Sequence, residues 1–585
     1  MDQHRATAAL ASMTDQERNF IWLVVRRMRT PLVLLIVVLA ISVLGMVLIP
    51  GVDAQGQPYR LSFLEALYFV AFMSTTIGFG EIPQPFTSAQ RLWVLSVIFL
   101  NVSVWIYAIG SILSLLQDRR FQRGLERYAF ARRVRRLRQP FFLLCGMGES
   151  GQRVATGLDR MGYQVVGLEI NEQRLDEFSL SEPGGRMPLF TADAGEPRNL
   201  VLAGLLHPRC RGVVALTNDD TVNLAVAVTT KLHREALPVH ARCESRVVAA
   251  NLASFDTDNI VEPYHQFARF VRMAFQRPAT FQLHEWLVRI PGEPLQPAVC
   301  LPRGRWVICG MGRFGRVMQA TLNLVEGVEL VLVDEDDSLL KGYDTTVHGR
   351  PAEEETLLKA GVEQAAGLVA GTDNDINNLS TIMTARDLNP DVFVIARQDH
   401  KHHGELFANS GADIVAERHD IVARSMLTSL TAPLLDDFLA EMYRQDDGWS
   451  LRVLQALQSW GISESPDFWV VELGQGEGQA LVEVERFGVQ VTGSVLGVDP
   501  RQREQALPCT ALLLRRLSGE SVFLPDQHVP LMEGDQVLYA GLPEAKPWTH
   551  WLLSDALSLY YAATGHTLPR SWLGRVWHRR RLARG

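Results

Sequence analysis

Two long runs without a charged residue, Pro31 to Val52 and Leu92 to Gln117, constrain this chain more than any other feature. In hydrocarbon every backbone N–H and C=O must find a partner within the protein, so such runs form helices, and about 20 residues suffice to cross a core of ~30 Å. Arg26, Arg27 and Arg29 precede the first run and Arg119 and Arg120 follow the second, which places both termini on the cytoplasmic side. Residues 117–139 carry nine arginines against two acids, a local collar suited to a membrane surface rather than to nucleic acid. At 585 residues the chain is too long for a single core. Its six cysteines lack CxxC spacing, so a reducing compartment fits better than a disulfide framework or a zinc site. No short apolar core with a small-residue cleavage site opens the chain, so no cleaved leader is expected.

Only about forty residues separate the two runs, too few for a further pair of spans at ~20 residues each. Ser62 and Glu65 form a capping box that opens an apolar helix running toward Ser74. The next residues, Thr75, Thr76, Ile77, Gly78, Phe79 and Gly80, place two glycines around an aromatic residue directly after threonines. Glycine tolerates positive φ, so this backbone can aim successive carbonyls to one side. Irregular backbone at membrane depth must be buried in protein or line a wet pathway. The order span, short helix, Thr-Ile-Gly-Phe-Gly, span resembles the pore module of K⁺ channels, whose signature is Thr-Val-Gly-Tyr-Gly. The resemblance implies that Thr75 to Gly80 form a selectivity filter, with K⁺ ligated by the Thr76 hydroxyl and the carbonyls of Thr76, Ile77, Gly78 and Phe79. Phe79 stands where tyrosine is usual and Glu81 where aspartate is usual.

A strand-like run, Phe141–Cys145, enters Gly146-Met147-Gly148-Glu149-Ser150-Gly151 and then a helical pattern, and a second strand ends in Glu169. That context makes GxGxxG a dinucleotide fingerprint: the glycines admit a pyrophosphate at a helix N-terminus and the acid takes the ribose hydroxyls. The acid favours NAD or another adenine nucleotide over NADP. The pattern is written twice. Gly310, Gly312, Arg313, Phe314 and Gly315 follow a second strand, and Asp334 ends the next. Thr217 and Thr372, Arg242 and Arg397, and Glu262 and Glu417 keep one offset of 155 residues, so the repeat covers a whole α/β domain.

A pore module fused to two such units resembles the bacterial and archaeal K⁺ channels with tandem RCK (regulator of K⁺ conductance) domains. The resemblance implies an all-α membrane module with two spans and a re-entrant pore helix, fused to two Rossmann-like α/β RCK domains, the second with a β-rich C-terminal lobe. The expected boundaries are a cytoplasmic N-terminus at 1–29, the pore module at 30–117, a basic linker at 118–139, the first RCK domain at 140–302, the second at 303–545, and a basic tail at 546–585. Nucleotide contacts are expected at the glycine loops, including Glu149 and Ser150, and at Glu169, Thr217, Arg242, Asp334, Thr372 and Arg397. At the third strand Asp193 suits the adenosine side, whereas Arg350 suits phosphate. The family assembles as a homotetramer in the inner membrane, with eight RCK domains in a gating ring. Acids at Glu353 to Glu355 and at Asp436, Asp437 and Glu441 are candidate Ca²⁺ ligands, and Asp399 to His403 with Glu405 offer a second divalent set. Nothing resembles a nucleophile triad, an acid–base pair or a hydride-transfer site. A membrane-anchored NAD-dependent oxidoreductase and a regulatory subunit of a K⁺ transporter are the rival readings; the first lacks a catalytic domain and the second would be soluble.

Overall fold

The computed structural model describes residues 28–53, 57–78, 80–81, 84–289, 292–295, 299–474, 478–526 and 528–568. Phe79 of the expected filter lies outside the described residues, as do the N-terminal segment to residue 27 and the tail from residue 569. The chain divides into two compact units, Met1–Leu137 with Val201–His207, and Arg138–Leu200 with Pro208 onward.

The first unit holds two apolar helices long enough to cross a bilayer, Met28–Leu48 and Ser88–Gln117. Between them lies the short helix Phe63–Ser74, opened by the capping box. Ser62 Oγ accepts from the Glu65 N–H while the Glu65 carboxylate accepts from the Ser62 N–H, which satisfies two of the N–H groups that a helix start leaves open. Phe69, Val70, Phe72 and Met73 of this helix pack with Val43 and Met46 of the first span and Val97 of the second. At Gly45 the first span seats Trp93 of the second: a Cβ there would lie 2.1 Å from the Trp93 ring. After the second span, Arg119–Arg135 continues as a helix.

Each half of the repeat folds into a six-stranded, all-parallel sheet of strand order 3-2-1-4-5-6, built from Phe141–Cys145 to Asn259–Val261 in the first and from Gly304–Cys309 to Ile414–Glu417 in the second. This is the doubly wound Rossmann order, which opens a crevice at the carboxyl ends of its central strands. The cores of the two lobes are exchanged. Val422, Ala423, Met426 and Leu427 of the second repeat's crossover helix, Arg418–Thr431, complete the core of the first lobe. Tyr264, Phe267, Val271 and Phe275 of the first repeat's crossover helix, Pro263–Gln276, complete the core of the second around Trp306 and Phe314. At about 1.5–3 kcal/mol for each large side chain buried, neither lobe closes its core alone. Both crossover helices end at a bend before proline, Arg277-Pro278 and Ala432-Pro433, because the residue before proline is pushed out of the helical region.

Past the bends, Leu283, Trp286 and Leu287 of the first repeat pack beside Leu434, Phe438 and Met442 of the second and against Leu512 and Leu538. The short piece that follows the first crossover therefore adds to the second domain's lobe. That lobe is a four-stranded antiparallel sheet of Asp467–Glu472, Gln536–Gly541, Cys509–Arg515 and Ser521–Phe523. Its core extends beyond residue 545: Leu552, Leu553, Leu559 and Tyr560 of the helices Ala545–Ser554 and Ala556–Thr564 are buried in it. The sequence reading assigned these residues to a basic tail. Their apolar faces place them in the lobe instead.

Candidate functional site

The short helix Phe63–Ser74 ends with Thr75 as its cap, so the negative end of its dipole and its last open carbonyls face the start of the Thr-Ile-Gly stretch. The Thr75 hydroxyl donates to the Ala71 carbonyl at 3.0 Å, and the Ile77 N–H donates to the Phe72 carbonyl at 3.0 Å, turning the chain back on the helix. Gly78 and Gly80 both take positive φ, 71° and 94°, and a Cβ on either would meet nothing within 4 Å in the single chain. Glycine is required there by backbone conformation and not by crowding. Thr76 also lies in the left-handed region at φ 59°, a conformation that costs a non-glycine residue roughly 1–2 kcal/mol and gathers at functional sites.

Two supports of this stretch were not foreseen. Glu81 accepts from Arg91 Nε at 2.8 Å and from the Phe86 N–H at 2.9 Å, so the longer acid in place of aspartate ties the loop to the second span. Behind the short helix, buried Asn101 donates to Ser42 Oγ at 2.6 Å and its carbonyl accepts from Ser74 Oγ at 3.2 Å, joining both spans to the helix end. An asparagine in an otherwise apolar span was the available signal.

In the second unit the glycines divide their work alike in both copies. Gly146 and Gly310 have φ of 97° and 93°, and a Cβ on either would press on the backbone of Thr217 or Thr372 at 2.8 Å. A Cβ on Gly151 or Gly315 would lie 2.0 or 1.8 Å from the carbonyl oxygen of the first glycine. Gly148 and Gly312 face open space with nothing within 4 Å, the position at which a phosphate needs close approach to the backbone. Each of these glycines caps the following helix, Glu149–Arg160 or Arg313–Leu322, whose free N–H groups favour an anion.

The acids at the ends of the second strands lie against the loops. Glu169 accepts from the N–H groups of Met147 at 2.7 Å and Asn171 at 3.0 Å; Asp334 accepts from Met311 at 2.6 Å and Asp336 at 2.8 Å. Each carboxylate oxygen keeps a second lone pair for a ribose hydroxyl. Thr217 and Thr372 are held by Asn223 and Asn378 through hydroxyl bonds of 2.7 and 2.6 Å. Asp193 is exposed and accepts from the Gly195 N–H, and Arg350 is exposed beside Glu335. Phe314 departs from its expected role: its ring is fully buried in the lobe core against Tyr264, which leaves only its backbone to the loop.

The remaining expected contacts bind the two lobes to each other. Arg313 pairs with Glu244, which also takes Arg242 and, at 3.2 Å, Arg418. Burial alone would raise the Glu244 carboxyl, but these three guanidinium groups hold it below the ordinary range. Arg397 pairs with Asp399 and lies over the Tyr264 ring at 5.2 Å. In the other direction Glu149 accepts from the Lys401 N–H at 3.1 Å, and Ser150 Oγ lies 2.8 Å from His419 Nδ1. Burial, with Arg418, Arg242 and Arg153 nearby, depresses His419 to about 3, so its ring is neutral. Each glycine loop thus presents its first helical residue to the opposite lobe.

Among the described residues no group of three or more His, Cys, Asp or Glu side chains is placed to hold a metal ion. Of the candidate Ca²⁺ ligands, Asp437 pairs with Arg515 and Glu355 with Lys359. Of the second divalent set, His403 lies on Asp375 at 2.8 Å. All six cysteines are free, and burial pushes the Cys145 and Cys309 thiols well up.

Residues 32–118 match the ion-channel domain model, and residues 142–263 and 306–417 each match the model of the TrkA-N domain. The chain thus joins an ion-channel domain to two TrkA-N domains. The probable potassium channel protein 2 of Methanocaldococcus jannaschii is 29% identical over 145 residues, 24% of this chain and 42% of that protein. The voltage-gated potassium channel Kch of Escherichia coli is 25% identical over 177 residues, 30% of this chain and 40% of that protein. The chain thus spans about two fifths of the length of these curated relatives. Among solved structures, the GsuK channel shares 15% identity over 91% of this chain and 99% of its own, with a TM-score of 0.48.

Proposed function

We propose that the chain is the subunit of a homotetrameric K⁺ channel of the inner membrane, with both termini and the RCK lobes in the cytoplasm, opened or closed by an adenine nucleotide such as NAD or ADP. The observation that carries the conducting role is the Thr76–Gly80 stretch, with both glycines at positive φ, set at the C-terminal end of a capped helix between two spans. Four copies around an axis would stack Thr76 to Phe79 oxygens into rings that replace the hydration shell of K⁺. The regulatory role is supported by the glycine loops: open space at Gly148 and Gly312, free helix N-termini, and Glu169 and Asp334 with spare lone pairs. A nucleotide gates only through its differential affinity for open and closed states. Seated on a glycine loop, it would compete for the space of the Glu149–Lys401 or Arg313–Glu244 contact and so change how the lobes pack.

Purified protein in liposomes tests both parts. K⁺ flux should exceed Na⁺ flux at least tenfold, and Gly78→Ala, which forces a side chain into the left-handed region, should abolish the difference. Glu169→Gln and Asp334→Gln should shift the nucleotide dependence of flux and leave selectivity unchanged. Equal K⁺ and Na⁺ flux overturns the filter assignment; unchanged dose-response curves in both variants overturn the ligand assignment.

A further inference from the structure

A cleft of about 520 Å³ opens between the two crossover elements, remote from both glycine loops. Its walls come from the helices on either side of the two proline bends: Pro263–Gln276 and Pro278–Val288 of the first repeat, Arg418–Thr431 and Pro433–Met442 of the second. At its base lies His284, 3% exposed. Tyr443 Oη is 2.7 Å from its Nδ1, and its Nε2 has no hydrogen-bond partner. If the phenol donates to Nδ1, Nε2 carries the proton and is an unused donor. A buried donor without a partner destabilises the fold, and an acceptor entering the cleft would recover that cost. Burial, aided by Arg424 and Arg269, depresses His284 to about 3, so the ring is neutral.

The lining combines apolar side chains with guanidinium groups. Phe270 lies against the His284 ring with centroids 4.1 Å apart, and Met273 and Leu439 continue the apolar wall. Among the described residues, Arg269 and Arg272 form no ion pair and are exposed at the cleft, while Arg277 donates to the Tyr443 and Gln445 carbonyls. Two acids also line it. Asp258 is taken by Lys231 at 2.9 Å, and Asp436, though raised to about 6 by burial, stays mostly ionised at pH 7 and is outnumbered by the Arg269 and Arg272 guanidinium groups. The volume falls within the 300–1,000 Å³ range of small-molecule sites.

We infer that this cleft is a ligand site for a small organic anion with a flat apolar body, held by Phe270, Met273 and Leu439, with an acceptor for His284 Nε2 and a phosphate or carboxylate for Arg269 and Arg272. The site is separate from the nucleotide reading and stands without it. Its occupant would bridge the bends of both crossover elements, and so act on the angle at which each repeat lends its helix to the other.

Calorimetry on the full chain in nanodiscs, using phenyl phosphate as the probe, tests the inference. A Gly148→Val, Gly312→Val background removes the loops as binding sites. Phenyl phosphate should bind once per chain, and at least tenfold more tightly than inorganic phosphate. Arg269→Gln, at an exposed position, should weaken it at least tenfold, and His284→Phe likewise. Ala440→Trp, which fills the cleft from an exposed position, should abolish it. No binding heat with millimolar phenyl phosphate, or equal affinity in the parent, Arg269→Gln and Ala440→Trp proteins, overturns the assignment.

Discussion

Gly148 and Gly151 sit three residues apart and do different things, which makes them a test of what the loop is for. A Cβ at Gly148 meets nothing, whereas one at Gly151 would lie 2.0 Å from the Gly146 carbonyl oxygen. Gly148→Val should therefore fold with a thermal midpoint near that of the parent and lose nucleotide binding at least tenfold. Gly151→Ala should be destabilised by about 1–3 kcal/mol, the usual cost of overpacking. Differential scanning fluorimetry with and without NAD separates the two outcomes. These positions were legible because the fingerprint is local: three glycines, a strand before and an acid after. Phe314 was misjudged for the same reason. A motif window shows that the residue lies in the loop, but its ring answers to Tyr264 and Phe267, which come from the other repeat.

Among the elements, the crossover helices carry the most consequence. Gly157, on the helix after the first glycine loop, is the seat of Leu427 from the second repeat, whose Cδ1 would lie 2.5 Å from a Cβ there. Gly157→Leu should push that helix off the first lobe and cost about 1–3 kcal/mol. Hydrogen exchange should then show faster opening of Arg418–Thr431 while the Gly304–Cys309 strand keeps its protection. Uniform exchange across both lobes would contradict the exchanged-core description. The crossover elements followed from the family resemblance, and the 155-residue offset of Glu262 and Arg269 to Glu417 and Arg424 showed that the repeat extends through them. Their exchange was not, since a hydrophobic face shows that a helix is buried without showing which sheet buries it. The helices of residues 545–564 were missed because arginines farther along dominated the composition of the segment.

Over the whole molecule, three neutral buried histidines set a pH dependence. Burial depresses His240 to about 4 and His284 and His419 to about 3. An unfolded histidine binds its proton near 6.5, so their contribution to stability is complete above that pH and is lost as pH falls toward 3–4. At pH 5 the loss is at most about 2 kcal/mol for each histidine. Asp436, raised to about 6 by burial, works in the opposite sense, favouring the fold below about 4 and losing that contribution as pH rises through 6. The histidines outnumber it, so the apparent melting temperature should drop between pH 7 and pH 5, and His240→Gln combined with His284→Gln should flatten the slope. The architecture at this scale was the most legible part, because uncharged runs and a domain-length repeat are long signals. The exchanged cores also bear on how the chain is made. The first sheet is complete at Val261, but the helix that covers it ends at Thr431. At 5–20 residues per second the ribosome needs roughly 10–30 s to supply it. For that interval the first lobe waits with an apolar face uncovered, beside a membrane and a translating neighbour, and a slow stretch of messenger there would be paid in aggregation.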